Sequence, residues 1–292
     1  MKLIHKIALI ALVAAALSSC CKKHPAKPPE KVQFTASVKS YSTPSGTEEG
    51  MVLGSGERVR IMAGSPIDAS AVGTVSGTAL LAEPPIYWVK SQKESTTFAA
   101  VYRKGTVPEA TTSINCNLLN GGVHDFERYD KFLTAVSTED PGKTVVFEFS
   151  HPFCKISVNV SDQLPDDTIS KVEIKGLVME GTIDIIAGSV SLGTAKKSFY
   201  LSKLSEGRFA AAVMPQEASP TIVISTAKGV TYSYASSSET AFVPGFAYSA
   251  DFTIGPETEP DHGDAVTFSF NISPWEYGPP IESSFSESDS HA

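Results

Sequence analysis

One pair of side chains in the sequence has the residue types of a nucleophile and its base. Cys154 carries a thiol and His151 an imidazole, and such a pair can perform acyl transfer when the two groups are in hydrogen-bond contact. The residues lie three positions apart in a stretch expected to be extended, so their side chains should point to opposite faces, and Pro152 stands between them. The sequence contains no further motif of a positioned nucleophile or paired carboxylates. It therefore favours a packing role for both residues and predicts no enzyme.

Two other groups of residues could bind a ligand. Residues 261–264 read Asp-His-Gly-Asp and could hold a cation, but acidic residues around a glycine are more typical of a solvated turn. Trp88 and Trp275 could stack on sugars, whereas tryptophan in a β-sandwich commonly fills the core. We therefore expect a turn at 261–264 and two core tryptophans, and we predict no metal and no cofactor.

The N-terminal stretch predicts export. Lys2 and Lys6 precede an apolar run at 7–17 that is too short to cross a bilayer of about 30 Å as a helix. Leu-Ser-Ser at 17–19 leads directly to Cys20, and this arrangement resembles the lipobox of bacterial lipoproteins, in which that thiol is diacylated after cleavage. We expect a signal peptide at 1–19, lipidation of Cys20 and an extended tether at 20–31. An ordinary secretory signal with a coincidental cysteine is the alternative.

The two remaining cysteines, Cys116 and Cys154, have no C-x-x-C or histidine spacing and make a poor metal site. Small buried side chains are the favoured interpretation of both. In an exported chain they could also form a disulfide, and the sequence leaves this open.

The charge balance argues against one class of partner. After removal of the signal peptide, 22 basic residues stand against 32 acidic ones, which gives a formal charge of −10. A protein that binds nucleic acid needs a basic surface to neutralise phosphates. We therefore expect no nucleic acid partner.

Short segments that alternate apolar and polar residues fill the body of the chain, as at 32–38, 156–160 and 230–234. No 3.6-residue period persists for three turns. Many short strands at spacings near ten residues, without helices between them, predict antiparallel β-sandwiches. A turn-rich change of composition at 137–143 predicts two domains, at 32–143 and 144–278, and the polar tail at 279–292 should be disordered.

Several motifs along the chain resemble, in order, those of the fimbrillin family of Bacteroidetes. The matching segments are Tyr87 and Trp88, the F-x-A-x-Y strand at 98–102, the segment at 129–135 similar to D-x-L-x-A, the F-x-F-x-H crossing that continues to 160, the P-Q turn at 215–216, the P-G-x-x-Y segment at 244–248 and the I-x-x-W segment at 272–275. Each motif is common by itself, but their shared order over some 190 residues makes the resemblance fairly specific.

The resemblance implies a pair of transthyretin-like sandwiches and a mechanism of assembly. In the family, a protease of trypsin-like specificity removes the lipid and the first strand, and a strand from another subunit fills the groove by β-augmentation. Mapped onto this chain, Val32, Phe34, Ala36 and Val38 are the inward set of the removed strand. Basic residues suited to cleavage are Lys39 and Arg58, at either end of an exposed loop at 39–56.

The role implied is a structural, accessory or tip subunit of a type V pilus, anchored by lipid in the outer membrane or assembled in a surface fimbrium. Its expected partners are other fimbrillin subunits, the membrane and a host or bacterial surface ligand. Because Ile281 and Phe285 stand isolated among polar residues, the tail is a poor donor strand, and we favour an accessory, tip or anchoring subunit. A lipoprotein that does not polymerise and binds glycan or host protein is the alternative.

Overall fold

The chain is built almost entirely of strands. The computed structural model describes residues 28–38, 53–162, 167–236, 238–255, 265–274 and 281–282. Its elements are β1 (Gln33–Val38), β2 (Arg58–Ala63), β3 (Ala69–Ser76), β4 (Ala79–Glu83), β5 (Thr96–Arg103), β6 (Ser113–Asn117), β7 (Leu119–Asn120), β8 (Val123–His124), α1 (Phe126–Asp130), β9 (Phe132–Glu139), β10 (Thr144–Phe149), β11 (Cys154–Asp162), β12 (Ile169–Val178), β13 (Glu180–Asp184), β14 (Ser189–Leu192), β15 (Lys196–Tyr200), β16 (Ser202–Ser205), β17 (Arg208–Val213), β18 (Gln216–Ala218), β19 (Thr221–Thr226), β20 (Thr231–Ala235), β21 (Thr240–Phe242), β22 (Phe246–Gly255), β23 (Ala265–Pro274) and β24 (Ile281–Glu282). The all-β prediction is confirmed.

Seven strands form the first sheet, in the order β10-β1-β4-β3-β2-β5-β9. In β10, every second side chain is buried, and the residues between them are exposed. The two outermost strands also meet, because the backbones of Thr134 and Ser150 exchange two hydrogen bonds of 2.9 Å. The sheet therefore curls around one apolar cluster, the first core, which includes Val32, Phe34, Ile61, Leu80, Ile86, Trp88, Phe98, Val145, Phe147 and Phe149.

A second core lies among the C-terminal strands. It is bounded by a six-stranded sheet in the order β16-β17-β11-β22-β23-β24 and a four-stranded sheet in the order β15-β12-β19-β20. Both sheets contribute inward side chains to one cluster, as expected of a β-sandwich. The second core includes Phe153, Ile156, Val158, Val172, Ile174, Phe199, Phe209, Tyr248 and Phe252.

The chain leaves the first core after Phe149 rather than before Thr144. β10, which the sequence analysis placed at the start of the second domain, pairs with β1 from Gln33 opposite Thr144 to Val38 opposite Phe149. The turn at 140–143 is a hairpin between β9 and β10, where the Lys143 N–H donates to the Asp140 carbonyl at 3.1 Å. A turn signal looks the same in a hairpin and in a linker, so the sequence pattern could not distinguish the two. We propose domains that meet near residue 150.

Two of the described strand pairings are parallel, although the sequence predicted antiparallel sandwiches. β1 runs parallel to β10, and β11 runs parallel to β22. Parallel neighbours need long connections, and in both pairs many other strands intervene along the chain. Alternation of apolar residues is the same in either direction, so the pattern could not reveal this.

The segment after β5 crosses to the second core. β6 pairs with β13, from Ser113 opposite Asp184 to Asn117 opposite Glu180. The short helix α1 follows, and the ring of Tyr129 packs edge-on against Phe153, with ring centroids 5.7 Å apart. The sequence predicted no helix here. Because of this segment, the two cores are joined by more than one crossing of the chain.

Part of the predicted disordered tail is paired. In β24, Ile281 and Glu282 lie opposite Ile272 and Asn271 of β23. The expectation of disorder at 279–292 is corrected at these two residues, and the others lie outside the described part of the chain.

Two buried histidines are neutral in the folded protein. The Nε2 atom of His124 lies within hydrogen-bond distance of the backbone of Ala212, 2.9 Å from its oxygen and 3.2 Å from its nitrogen. Burial lowers the pKa of His124 to about 4. Burial also lowers the pKa of His151 to about 3, with a further contribution from the positive charge of Lys155. Each imidazole therefore binds a proton less readily in the folded protein than in the unfolded chain.

We expect acid to destabilise the protein through these histidines. Between about pH 6.5 and pH 4, each histidine binds a proton in the unfolded chain but not in the folded protein. The free energy of unfolding should therefore fall as pH decreases through this range, at roughly 1.4 kcal/mol per pH unit for each histidine. Urea unfolding at several pH values measures this. A His124→Phe variant should show a shallower decrease, and equal pH dependence in the two proteins would contradict the prediction.

Candidate strand-exchange site

The first strand is held between two neighbours rather than at an edge. β1 pairs in parallel with β10 on one side, and on the other side Phe34 and Thr35 lie opposite Leu80 and Ala79 of β4. Two more backbone hydrogen bonds extend this antiparallel contact at either end. The Val32 N–H donates to the Ile86 carbonyl at 2.9 Å, and the Ala36 N–H donates to the Thr78 carbonyl at 2.8 Å. The backbone of this single strand therefore links two strands that are far apart in the sequence.

Aromatic rings hold the centre of β1 in the first core. The ring of Phe34 stacks on Phe147 with centroids 5.9 Å apart and meets the edge of Phe98 at 5.6 Å. Trp88 also packs edge-on against Phe98, with ring centroids 5.6 Å apart. Phe34 is 3% exposed and Val32 1% exposed. Burial of two such side chains contributes about 1.5–3 kcal/mol each relative to exposure.

The second half of β1 is packed less deeply. Ala36 and Val38 are half-buried against the same core, while Gln33 and Ser37 face outward and are exposed. All four residues of the candidate removed strand thus lie on one face and contact the first core. Whether the strand is removed stays a prediction.

Loss of β1 would create a groove with defined chemistry. The edges of β4 and β10 would lose their backbone partners, and the rings of Phe98 and Phe147 would face the space that Phe34 occupies. Unpaired strand edges and exposed apolar rings together form a template for another strand. A guest strand that alternates apolar residues would restore both kinds of contact.

Of the two candidate cleavage residues, Arg58 lies within the described part of the chain and Lys39 does not. The side chain of Arg58 is exposed, but its backbone starts β2, where it lies opposite Thr74. Next to it, the Val75 N–H donates to the Glu57 carbonyl at 2.9 Å. Leu53 is buried in the first core, so the end of the predicted loop at 39–56 is fixed there. Lys39 lies outside the described residues, and so does the lipidation candidate Cys20.

The other candidate residues are placed in the interior or cannot be placed. Trp88 is 5% exposed, which confirms its expected core position, and Cys154 and His151 are also buried. Cys154 and the half-buried Cys116 are free thiols, and burial raises the pKa of Cys116 to about 11. Trp275 and the segment 261–264 lie outside the described residues.

In the described part of the chain, no group of three or more His, Cys, Asp or Glu side chains is arranged to hold a metal ion. None of its helices has the length and apolar character needed to span a membrane.

The position of β1 can be compared with a known family. The chain matches the fimbrillin-like family over residues 46–275. It belongs to the fimbrillin-like family. The resemblance deduced from its motifs is thereby confirmed. The matched region begins after β1 and includes β4 and β10, the two strands that hold it. No curated protein sequence matches the chain.

Solved structures share the fold of this fimbrillin-like chain. A candidate cell adhesion protein from Bacteroides uniformis is 15% identical, with a TM-score of 0.61 over 86% of this chain and 100% of that one. A candidate cell adhesion protein from Bacteroides ovatus is 15% identical, with a TM-score of 0.61 over 87% and 100%. A candidate adhesin from Bacteroides thetaiotaomicron is 10% identical, with a TM-score of 0.50 over 88% and 99%. At these identities the likeness shows the fold alone.

Sequence reasoning missed the longest partner of β1. It treated residues 145–149 as part of the second domain, whereas Phe147 stacks on Phe34. The alternation of Val145, Phe147 and Phe149 did signal a strand with one buried face. It could not indicate which core that face joins.

We expect truncation of the central ring of β1 to destabilise the fimbrillin-like chain strongly. Phe34→Ala removes the contacts with Phe98 and Phe147 and should lower the free energy of unfolding by about 3–5 kcal/mol. Thr35→Ala on the opposite face is the matched control and should cost less than about 1 kcal/mol. Urea unfolding of both variants tests this, and similar losses would show that the ring does not anchor the strand.

Proposed function

We propose that this protein is an accessory or tip subunit of a surface fimbrium, and that it is assembled by strand exchange at the position of β1. The observation that supports this most directly is the placement of Phe34 between Phe98 and Phe147, on a strand whose two neighbours are otherwise remote in sequence. A strand in that position closes the first core while it is present and defines an acceptor groove when it is absent. The family of the chain agrees with a fimbrial or adhesive role.

The connection after β1 is the proposed site of cleavage, at Lys39. Arg58 is the less suitable residue, because its backbone is in the ladder between β2 and β3. A protease binds its substrate as an extended chain, so cutting there would require β2 to separate from the sheet. Leu53 and Glu57 precede Arg58 and would leave with the removed segment. The first core would then lose Leu53, and the Tyr102 hydroxyl would lose its hydrogen bond to Glu57. Cleavage at Lys39 leaves these contacts intact.

The C-terminal residues support a terminal position in the fibre. A donor strand needs apolar residues at alternate positions, and after Ile281 the sequence offers Phe285 among serines and acidic residues. The chain thus has a well-formed acceptor position and a weak donor. A subunit that accepts a strand more readily than it donates one fits a tip or accessory role better than a repeating shaft.

Export as a lipoprotein completes the proposal. Acylation of Cys20 would hold the precursor at the outer membrane, and cleavage at Lys39 would release it together with β1. The competing function is a surface lipoprotein that keeps β1, stays anchored through Cys20 and binds a glycan or host protein without polymerising.

Peptide mapping of the N-terminus decides between the two functions. We expect protein from sheared fibres to begin at residue 40 and protein from membranes to begin at an acylated Cys20. Lys39→Gln should abolish the trimmed form and reduce incorporation into fibres by about tenfold or more. The matched variant Arg58→Gln should behave as the wild type. An acylated Cys20 in membranes, with no trimmed form in fibres, would contradict the proposal and support the anchored lipoprotein.

A further inference from the structure

A groove with excess positive charge lies where β2 begins and β5 ends. A cavity of about 470 Å³ is lined by Arg103, Lys104, Thr106, Asp125, Glu127 and Arg128. A second cavity of about 260 Å³ is also lined by Arg103 and Thr106 and extends to Arg58. Because they share two residues, we treat the cavities as one basic groove. It stands out on a chain whose formal net charge is −8.

Three guanidinium groups line the basic groove, and that of Arg128 also lies over the ring of Tyr129, 5.6 Å from its centroid. Within the described part of the chain, none of Arg58, Arg103 and Arg128 forms an ion pair with a carboxylate. Arg58 and Arg128 are exposed, and Arg103 is half-buried at the end of β5. A half-buried guanidinium with no carboxylate partner is a site with unused binding capacity.

The acidic residues of the groove are engaged by other groups. Glu127 lies 3.6 Å from the Lys104 ammonium and 3.9 Å from that of Lys131. Glu57 accepts a hydrogen bond of 2.7 Å from the Tyr102 hydroxyl. Burial and this carboxylate together raise the pKa of Tyr102. These two carboxylates are therefore directed to lysines and a phenol. The third carboxylate of the groove, that of Asp125, accepts the backbone N–H of Arg128 through Oδ1 at 3.2 Å and keeps its second oxygen for other partners.

We propose that the basic groove binds a carboxylate-bearing sugar at the end of a surface glycan. A guanidinium can donate two parallel hydrogen bonds to a carboxylate, and Arg103 is placed to do so from the rigid end of a paired strand. The Thr106 hydroxyl and the Asp125 carboxylate can bond sugar hydroxyls. The larger cavity, of about 470 Å³, is within the range of small-ligand sites. This inference rests on the proposed adhesive function and names its ligand class.

The strand pairing favours a sugar over an acidic peptide. β2 is paired on both sides, with β3 and β5, and β5 is paired with β2 and β9. An extended peptide that bound here could not add to a free strand edge, which is the usual source of its affinity. A compact anion that enters at the strand ends needs no free edge.

Calorimetric titration of the purified exported protein tests the proposal. The probes are 3′-sialyllactose and a glucuronate-terminated oligosaccharide, each with its neutral parent sugar. At least one acidic probe should bind at least about tenfold more tightly than its parent, and its affinity should fall as salt increases. Arg103→Ala and Arg128→Ala should each weaken it by about tenfold or more. Arg103→Lys should also weaken it, because lysine cannot form the bidentate pair.

The matched control is Lys143→Ala, which removes an exposed cation between β9 and β10 and should leave binding unchanged. Equal affinity for acidic and neutral probes, no binding of either acidic probe to the folded protein, or tighter binding of a poly-glutamate peptide would each overturn the proposal. Fibre incorporation of Arg103→Ala, measured in parallel, should stay normal. Loss of strand exchange with sugar binding retained would refute the proposed assembly alone, and the reverse would refute this inference alone.

Discussion

The structure depends on the contact of Phe34 with the aromatic rings of the first core. That ring stacks on Phe147 of β10 and meets the edge of Phe98 of β5, so it connects strands of the first sheet that are far apart in the sequence. The backbone of β1 makes the same connection through hydrogen bonds to β10 and β4. Side chains and backbone thus make one short segment responsible for closing the sheet.

β10 lies between β1 and the start of the second core. Across its outer edge β10 joins β9 through the bridge between Thr134 and Ser150, while along its inner edge it pairs with β1 over six residues. β10 leads within five residues to β11, the start of the second core. A strand that replaced β1 would therefore hold in place the part of the chain that connects the two cores. Polymer contacts and the integrity of the subunit would then rest on the same backbone ladder.

The sequence was informative about strands and less so about how they pair. Alternation in 32–38 indicated a strand with Val32 and Phe34 facing inward, and both are buried. Alternation also indicated β10, but its partner is set by contacts across more than a hundred residues, which no local pattern contains. The same limit applies to the basic groove, because Arg58, Arg103 and Arg128 are far apart in the chain and line adjoining cavities through strand pairing and the position of α1. Motif order identified the family because it samples the whole chain at once.

The most direct test of the account is a covalent lock on β1. Thr35 and Ala79 lie directly opposite each other on the antiparallel side, at a separation suited to a disulfide, and both are partly exposed. The double variant Thr35→Cys with Ala79→Cys should fold and be exported yet be absent from fibres, because β1 cannot leave. A matched lock between Thr97→Cys and Thr138→Cys joins β5 to β9 in the same sheet and should not block assembly. Fibres that contain the fully oxidised β1 lock at wild-type amounts would contradict strand exchange at this site.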